Sequence, residues 1–166
     1  MEYILGPKGP KDACIFCGVG SAAEGELCSR LVVATTARAF VMLNRYPFAA
    51  GHILVVPHAH VSALEDLDPE DYDALFRLVR ASSVRLRKAL NAEGLNVGIN
   101  LGAVAGAGVA EHMHVHIVPR WSGDTNFMPV LADVRVVPQA LDATREHLAR
   151  YFADLDEAAP RRPEAP

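Results

Sequence analysis

The sequence predicts an α+β domain built on an antiparallel sheet of about five strands, with one long helix and a closing C-terminal helix. Three observations carry that expectation. Short apolar or alternating runs, separated by tight turns, read as strands. One stretch from Pro69 onward repeats apolar residues every three to four positions and is long enough for an extended helix. It is also the only connection between strands with room for a helix, which argues against a strictly alternating, doubly wound parallel sheet.

Residues 1–12 contain Gly6-Pro7 and Gly9-Pro10 and read as an irregular N-terminal arm. Residues 13–153 form the folded domain. Cys14-Ile15-Phe16-Cys17-Gly18 is a knuckle, followed by a small-residue connection around Ser21 to Gly25. Leu31 to Thr35 and Ala39 to Leu43 fit a hairpin turning near Thr36 to Arg38, and Asn44 to Gly51 breaks the pattern before a β-branched strand from His52 to Val56, closed by Pro57. The long helix has Asp68 to cap it, Pro69 at its first position and Glu70 and Asp71 against its dipole. Tyr72, Leu75, Phe76, Val79, Leu86 and Leu90 supply its apolar face, and it should run to about Asn91 and stop at Gly94. Leu95 to Leu101 is a further strand, Gly102 to Gly108 a glycine-rich loop, Ser122 to Asn126 a polar turn, Val130 to Val137 a short irregular strand, and Pro138 to Phe152 the closing helix. Residues 154–166, rich in alanine, proline and charge, read as a disordered tail.

A chain of 166 residues, 51% apolar, suits one domain with a substantial core. Its net charge of −4 argues against tight sequence-independent nucleic-acid binding, so phosphate chemistry would have to be local. No run approaches the roughly eighteen apolar residues of a membrane span, and no basic-then-apolar leader opens the chain; a soluble, cytoplasmic protein with no membrane partner is expected. The three cysteines, two of them in Cys14-x-x-Cys17, suit a metal site or reduced thiols better than a disulfide framework.

The chemistry concentrates in Glu111 to Trp121. His112, His114 and His116 alternate with Met113, Val115 and Ile117, so an extended chain places three imidazoles on one face and the apolar residues in the core. Such a row could bind a metal, hold a nucleophilic histidine between two that orient it, or form a solvated edge. The loop just before it favours an anion: Gly102, Gly106 and Gly108 let backbone N–H groups turn inward, as in a small phosphate-binding nest.

The stretch His112-Met113-His114-Val115-His116-Ile117-Val118 resembles the H-φ-H-φ-H-φ-φ signature of the histidine-triad (HIT) superfamily of nucleotide hydrolases and transferases. Leu43 to Pro47 and Gly51 to Pro57 resemble that family's first nucleotide-binding strand pair, and the match covers about Cys14 to Arg150. The resemblance implies a HIT-like fold in a homodimer, a nucleotide substrate, and no organic cofactor. It implies that His114 attacks the α-phosphorus, that His116 and His52 bond phosphate oxygens, that His112 helps orient the nucleophile, and that Asn44 bonds the ribose hydroxyls. Gly108 and Val109 stand where many relatives have Gln or Ser, so backbone amides, with Gly106 and Gly108, would meet phosphate, and Asn100 would offer its side chain from an offset one residue longer than usual. A bacterial branch holds structural zinc through a comparable set, here Cys14, Cys17, His60 and His112. Cys28 and His147 receive no role. Trp121 after Pro119-Arg120, followed by Gly123 to Phe127, is closer to the Fhit-like branch and to bacterial diadenosine tetraphosphate phosphorylases than to Hint-type phosphoramidases. The expected activity is cleavage of dinucleoside polyphosphates such as diadenosine tetraphosphate (Ap4A) or triphosphate (Ap3A). The rivals are a Hint-type phosphoramidate hydrolase, a noncatalytic nucleotide-binding module and a metalloenzyme using the row as ligands.

Overall fold

A computed structural model describes residues 14–124 and 140–155. The N-terminal arm, the segment that includes Val130 to Val137 and the tail beyond Leu155 lie outside the described residues. Five strands, β1 (Val32–Thr35), β2 (Ala39–Leu43), β3 (Ile53–Pro57), β4 (Gly94–Ile99) and β5 (Val115–Arg120), form one antiparallel sheet in the order β1-β2-β3-β5-β4. Among the described residues three α-helices accompany it: α1 (Glu24–Ser29), α2 (Pro69–Leu90) and α3 (Leu141–Phe152).

Alternation along the strands sorts side chains to two faces. Val41, Leu43, Ile53, Val55, Val115 and Ile117 point to one face and pack under α2 and α3, against Leu75, Leu86 and Leu148. Fully burying each such side chain contributes about 1.5–3 kcal/mol. On the opposite face Phe40, Leu54 and Val56 pack against Phe16 and Val19 of the N-terminal knuckle. Among the described residues that knuckle covers the β1–β3 side of the face and none covers the β5–β4 side.

The expected elements form, with differences at their ends. Asp68 caps α2 by accepting a bond from the Glu70 N–H at 2.9 Å, and the helix closes at Asn91, whose φ of 49° takes the left-handed conformation. Gly94 is therefore the first residue of β4 and not the helix stop. His52 lies just outside β3, because its N–H turns back to the Ala49 carbonyl at 3.1 Å. The histidine row is regular strand only from Val115: the Met113 N–H leaves the ladder to reach the Val61 carbonyl at 2.7 Å. The α1 turn stands where a plain connection was expected. Its first-turn Glu24 and Glu26 complement the helix dipole, and Leu27 packs against the Phe16 cluster, which outweighs the cost of Gly25. Among the described residues no helix is long and apolar enough to cross a membrane.

Candidate active site and metal cluster

β5 is the pivot of the site. Because Val115 and Ile117 are drawn to the helix side, His116 projects from the open face, and His114 and His112 follow the same alternation upstream. His52, preceding Ile53, reaches that face from the end of the neighbouring strand. The rings of His114 and His116 lie 4.8 Å apart, and those of His52 and His116 5.2 Å apart. The structure thus brings together His52, His114 and His116, with His112 next in the row, its carbonyl 3.0 Å from His114 Nδ1.

Their hydrogen bonds fix the tautomers. The Phe48 N–H donates to His52 Nδ1 at 3.2 Å, with the Asn44 amide at 3.4 Å, so the His52 proton sits on Nε2. That N–H donates to His116 Nδ1 at 3.0 Å, which places the His116 proton on Nε2. His116 Nε2 is buried and has no hydrogen-bond partner among the described residues, an uncommon state for a buried polar atom outside a functional site. His114 Nδ1–H donates to the His112 carbonyl at 3.0 Å, leaving Nε2 with its lone pair. Burial is the main reason that all four imidazoles stay neutral: it lowers His52 to about 3 and His116 to about 4, each further depressed by neighbouring imidazoles, and it lowers His114 and His112 against an opposing backbone hydrogen bond. The site is therefore a set of uncharged donors and one uncharged nucleophile, with His114 only 4% exposed.

The first histidine belongs to a second cluster. Cys14 Sγ lies 3.3 Å and Cys17 Sγ 3.8 Å from His112 Nδ1, Cys17 Sγ lies 3.2 Å from His60 Nδ1, and all four ligand atoms fall within 4.8 Å of one another. Tetrahedral zinc with such ligands separates them by roughly 3.3–3.8 Å, so the set is already close to a coordination shell. His112 Nε2–H donates to the Pro57 carbonyl at 2.9 Å, which frees Nδ1 to bind a cation in the manner of an oriented metal-binding histidine. Burial and the adjacent Cys14 push the Cys17 thiol up, and a cation between the sulfurs would reverse this. The four residues could hold a metal ion. His58 does not join them; it stacks on Phe40 and donates to the Thr36 carbonyl at 2.9 Å. His147 donates to the Ala89 carbonyl at the end of α2, and Cys28 is a half-buried free thiol.

Two residues that sequence reasoning passed over connect these parts. Phe16, between the cysteines and 2% exposed, sets its ring 5.3 Å from His112 and 5.1 Å from His114, so the knuckle buttresses the row directly. Phe48 stacks on His52 at 5.2 Å with ring planes 17° apart. Phe16 was visible as the aromatic inside C-x-x-C; Phe48 carried no signal beyond lying in the Asn44–Gly51 break.

The remaining candidates are differently placed. Asn44 Oδ1 accepts from the Tyr46 N–H at 2.9 Å, tying the side chain to its own turn. Asn100 lines the open groove beside His116 and donates to the Gly106 carbonyl at 3.4 Å. Gly106, at φ 88°, spends its own N–H on the Ala103 carbonyl at 3.0 Å, so that amide closes the loop and does not point into a nest.

A five-stranded antiparallel sheet with alternating histidines on one face of β5 and the residues leading into it is the arrangement of a histidine-triad protein. The chain belongs to the HIT domain family, whose model matches residues 26–123. It is 42% identical over 123 residues to "AP-4-A phosphorylase" of Mycobacterium tuberculosis, covering 74% of this chain, and it spans 63% of the length of that relative. It is 40% identical over 82 residues to a bis(5'-nucleosyl)-tetraphosphatase [asymmetrical] of Schizosaccharomyces pombe, covering 49% of this chain and 44% of that one. Among solved structures it is similar to a Zn-bound histidine triad family protein of Mycobacterium smegmatis, with TM-score 0.67 and 28% identity over 88% of this chain and 97% of that chain.

Proposed function

We propose that this protein cleaves dinucleoside polyphosphates of the Ap4A and Ap3A class by passing a nucleotidyl group through His114. The observation that carries the reading is the buried His116 Nε2–H without a partner among the described residues, on a ring centred 4.8 Å from that of His114. A phosphate group satisfies both: His116 donates to a non-bridging oxygen while His114 Nε2 attacks the α-phosphorus. The N–P bond forms as the bond from phosphorus to the bridging oxygen breaks, and the departing nucleotide leaves with that electron pair as a stable polyphosphate anion needing little proton donation. Water or inorganic phosphate then attacks the same phosphorus, the N–P bond returns its pair to Nε2, and the attacking oxygen loses its proton. His52 keeps His116 in its donating tautomer, Asn44 takes the ribose hydroxyls, and Asn100 and the Gly108 amide meet phosphate oxygens.

Cys14, Cys17, His60 and His112 hold a structural zinc ion in this reading, supported by their spacing and by the zinc-bound relative. With two thiolates and two imidazoles as its ligands, such an ion would supply rigidity and would not take part in the chemistry at His114. Held there, His112 would be fixed in place, and its carbonyl accepts from His114 Nδ1–H and orients that ring. The protein works as a homodimer in this reading; β4 is an edge strand, with Val97 50% exposed on it, and suits pairing with a second copy.

Product analysis with Ap4A tests the activity. AMP and ATP in phosphate-free buffer mean hydrolysis; ADP and ATP appearing only with inorganic phosphate mean phosphorolysis. No cleavage in either buffer, with adenosine 5′-phosphoramidate turned over instead, would replace this reading with the phosphoramidase one.

A further inference from the structure

The nucleophile row occupies one edge of the open sheet face, and beside it a groove of about 350 Å³ continues over β5 and β4. Its floor is Gly98 and Val118. A Cβ built on Gly98 would meet nothing within 4 Å, so this part of the floor is flat backbone with open space above it. One wall is Phe48, 71% exposed and lying against His52. The opposite rim is polar: Arg120 Nη1–H donates to Asn96 Oδ1 at 2.8 Å, and Arg120 forms a two-pronged ion pair with Asp124, at 2.6 Å through Nε and 2.7 Å through Nη2. His116, paired with Gly98 across the strands, stands at the inner end.

The dimensions follow from the sheet. Asn96 pairs with Val118 on one side, and on the other Phe48 lies against His52 at the end of β3, so the groove reaches across β5 to both neighbouring strands, two strand spacings or about 10 Å. From His116 to Arg120 it runs about 13 Å along β5. A flat, largely apolar slot with an aromatic wall and an amide and a guanidinium at its rim fits a planar heteroaromatic ring better than a bare anion. Among the described residues the knuckle fills the face on the β1–β3 side and none fills this slot, which is continuous with His116.

We propose that the groove is a second nucleoside subsite: it holds the base and sugar of the departing half of the substrate, stacked on Phe48 over Gly98 and Val118, with its polar edge toward Asn96 and Arg120. This rests on the nucleotide reading above and deepens it, because it assigns a recognition role to the half of the molecule that His114 does not attack. It makes the protein selective for substrates with a nucleoside at both ends over nucleoside polyphosphates with one.

The test is equilibrium binding by calorimetry to His114→Ala protein, with Ap4A and with adenosine 5′-tetraphosphate methylated on its terminal phosphate. The second probe matches the charge and chain length but lacks the second nucleoside. Two equivalent ends favour Ap4A by about twofold on statistics alone. The subsite predicts a preference of about tenfold or more, the scale of one base stacked on an aromatic ring. Adding Gly98→Leu, which fills the floor, or Phe48→Ala, which removes the wall, should each bring the preference back toward the statistical value. A preference at the statistical value in His114→Ala protein overturns the subsite while leaving the nucleotide reading intact, as does a larger preference that neither substitution reduces. Absence of binding for both probes overturns the nucleotide reading and the subsite with it.

Discussion

Mild acid should destabilise this protein through the very pair of histidines that equips it for catalysis. His52 and His116 are held at about 3 and about 4 in the folded state against an ordinary value of 6.5. The unfolded chain therefore binds more protons than the folded one across this interval, so the stability is complete above about pH 6.5 and is lost as pH falls toward 4. Each histidine can contribute a slope of up to about 1.4 kcal/mol per pH unit. Allowing for the lesser burial of His116 and its coupling to His52, the pair should remove about 2–3 kcal/mol between pH 6.5 and 5, a large share of a typical folding free energy. Urea unfolding at pH 7.5, 6.5 and 5 measures this directly. The comparison is the double variant His52→Asn, His116→Asn, whose amides hydrogen-bond without titrating. The cysteine–histidine cluster is common to both proteins and cancels in the difference. A pH slope in the variant within about 0.5 kcal/mol of the wild type would refute the claim that burial keeps this pair neutral.

Metal should prove structural. As purified, the protein is expected to contain about one zinc per chain, and chelation or Cys17→Ser should lower the melting temperature by roughly 8–16 °C, the equivalent of about 4 kcal/mol for an ion at a thousand times its Kd; a metal-free protein indifferent to chelator would contradict the cluster's role. Phe16→Ala should cost about 3–5 kcal/mol and lower kcat more than it raises KM, since the lost ring supports both His112 and His114; unaltered kcat in the folded variant would show that the buttress is dispensable. Gly51→Ala should destabilise by at least about 1–2 kcal/mol, because Gly51 has φ 77° and the added Cβ would run into the Leu90 side chain; an unchanged denaturation midpoint would mean that this turn relaxes freely.

The sheet and the histidine row were legible because they rest on local periodicity. Alternation of period two in His112 to Ile117 and the Asp68-Pro69 cap of α2 are written in adjacent residues, and they give both the strand and the helix. What was not legible depends on partners far along the chain. Met113 bonds to Val61, and that contact, invisible in either segment alone, ends the regular part of β5 at Val115. The donor relay from Phe48 through His52 to His116 spans residues that only the β3–β5 register brings together. The metal cluster needed three separate segments; Cys14-x-x-Cys17 announced a site, but His60 and His112 came from resemblance and not from spacing. The α1 turn was missed because six residues containing Gly25 carry too little periodicity, and its stability comes from Leu27 packing against the knuckle.

Capture of the covalent intermediate tests the central claim most directly. Mixing the protein with Ap4A in phosphate-free buffer, quenching within milliseconds under alkaline conditions that preserve phosphoramidates, and sequencing the peptides by mass spectrometry locates any adenylyl group. The account predicts one adenylyl group on His114, formed faster than product is released and missing from His114→Ala. Turnover of Ap4A with no labelled histidine, or with the label on His112 or His116, would contradict it.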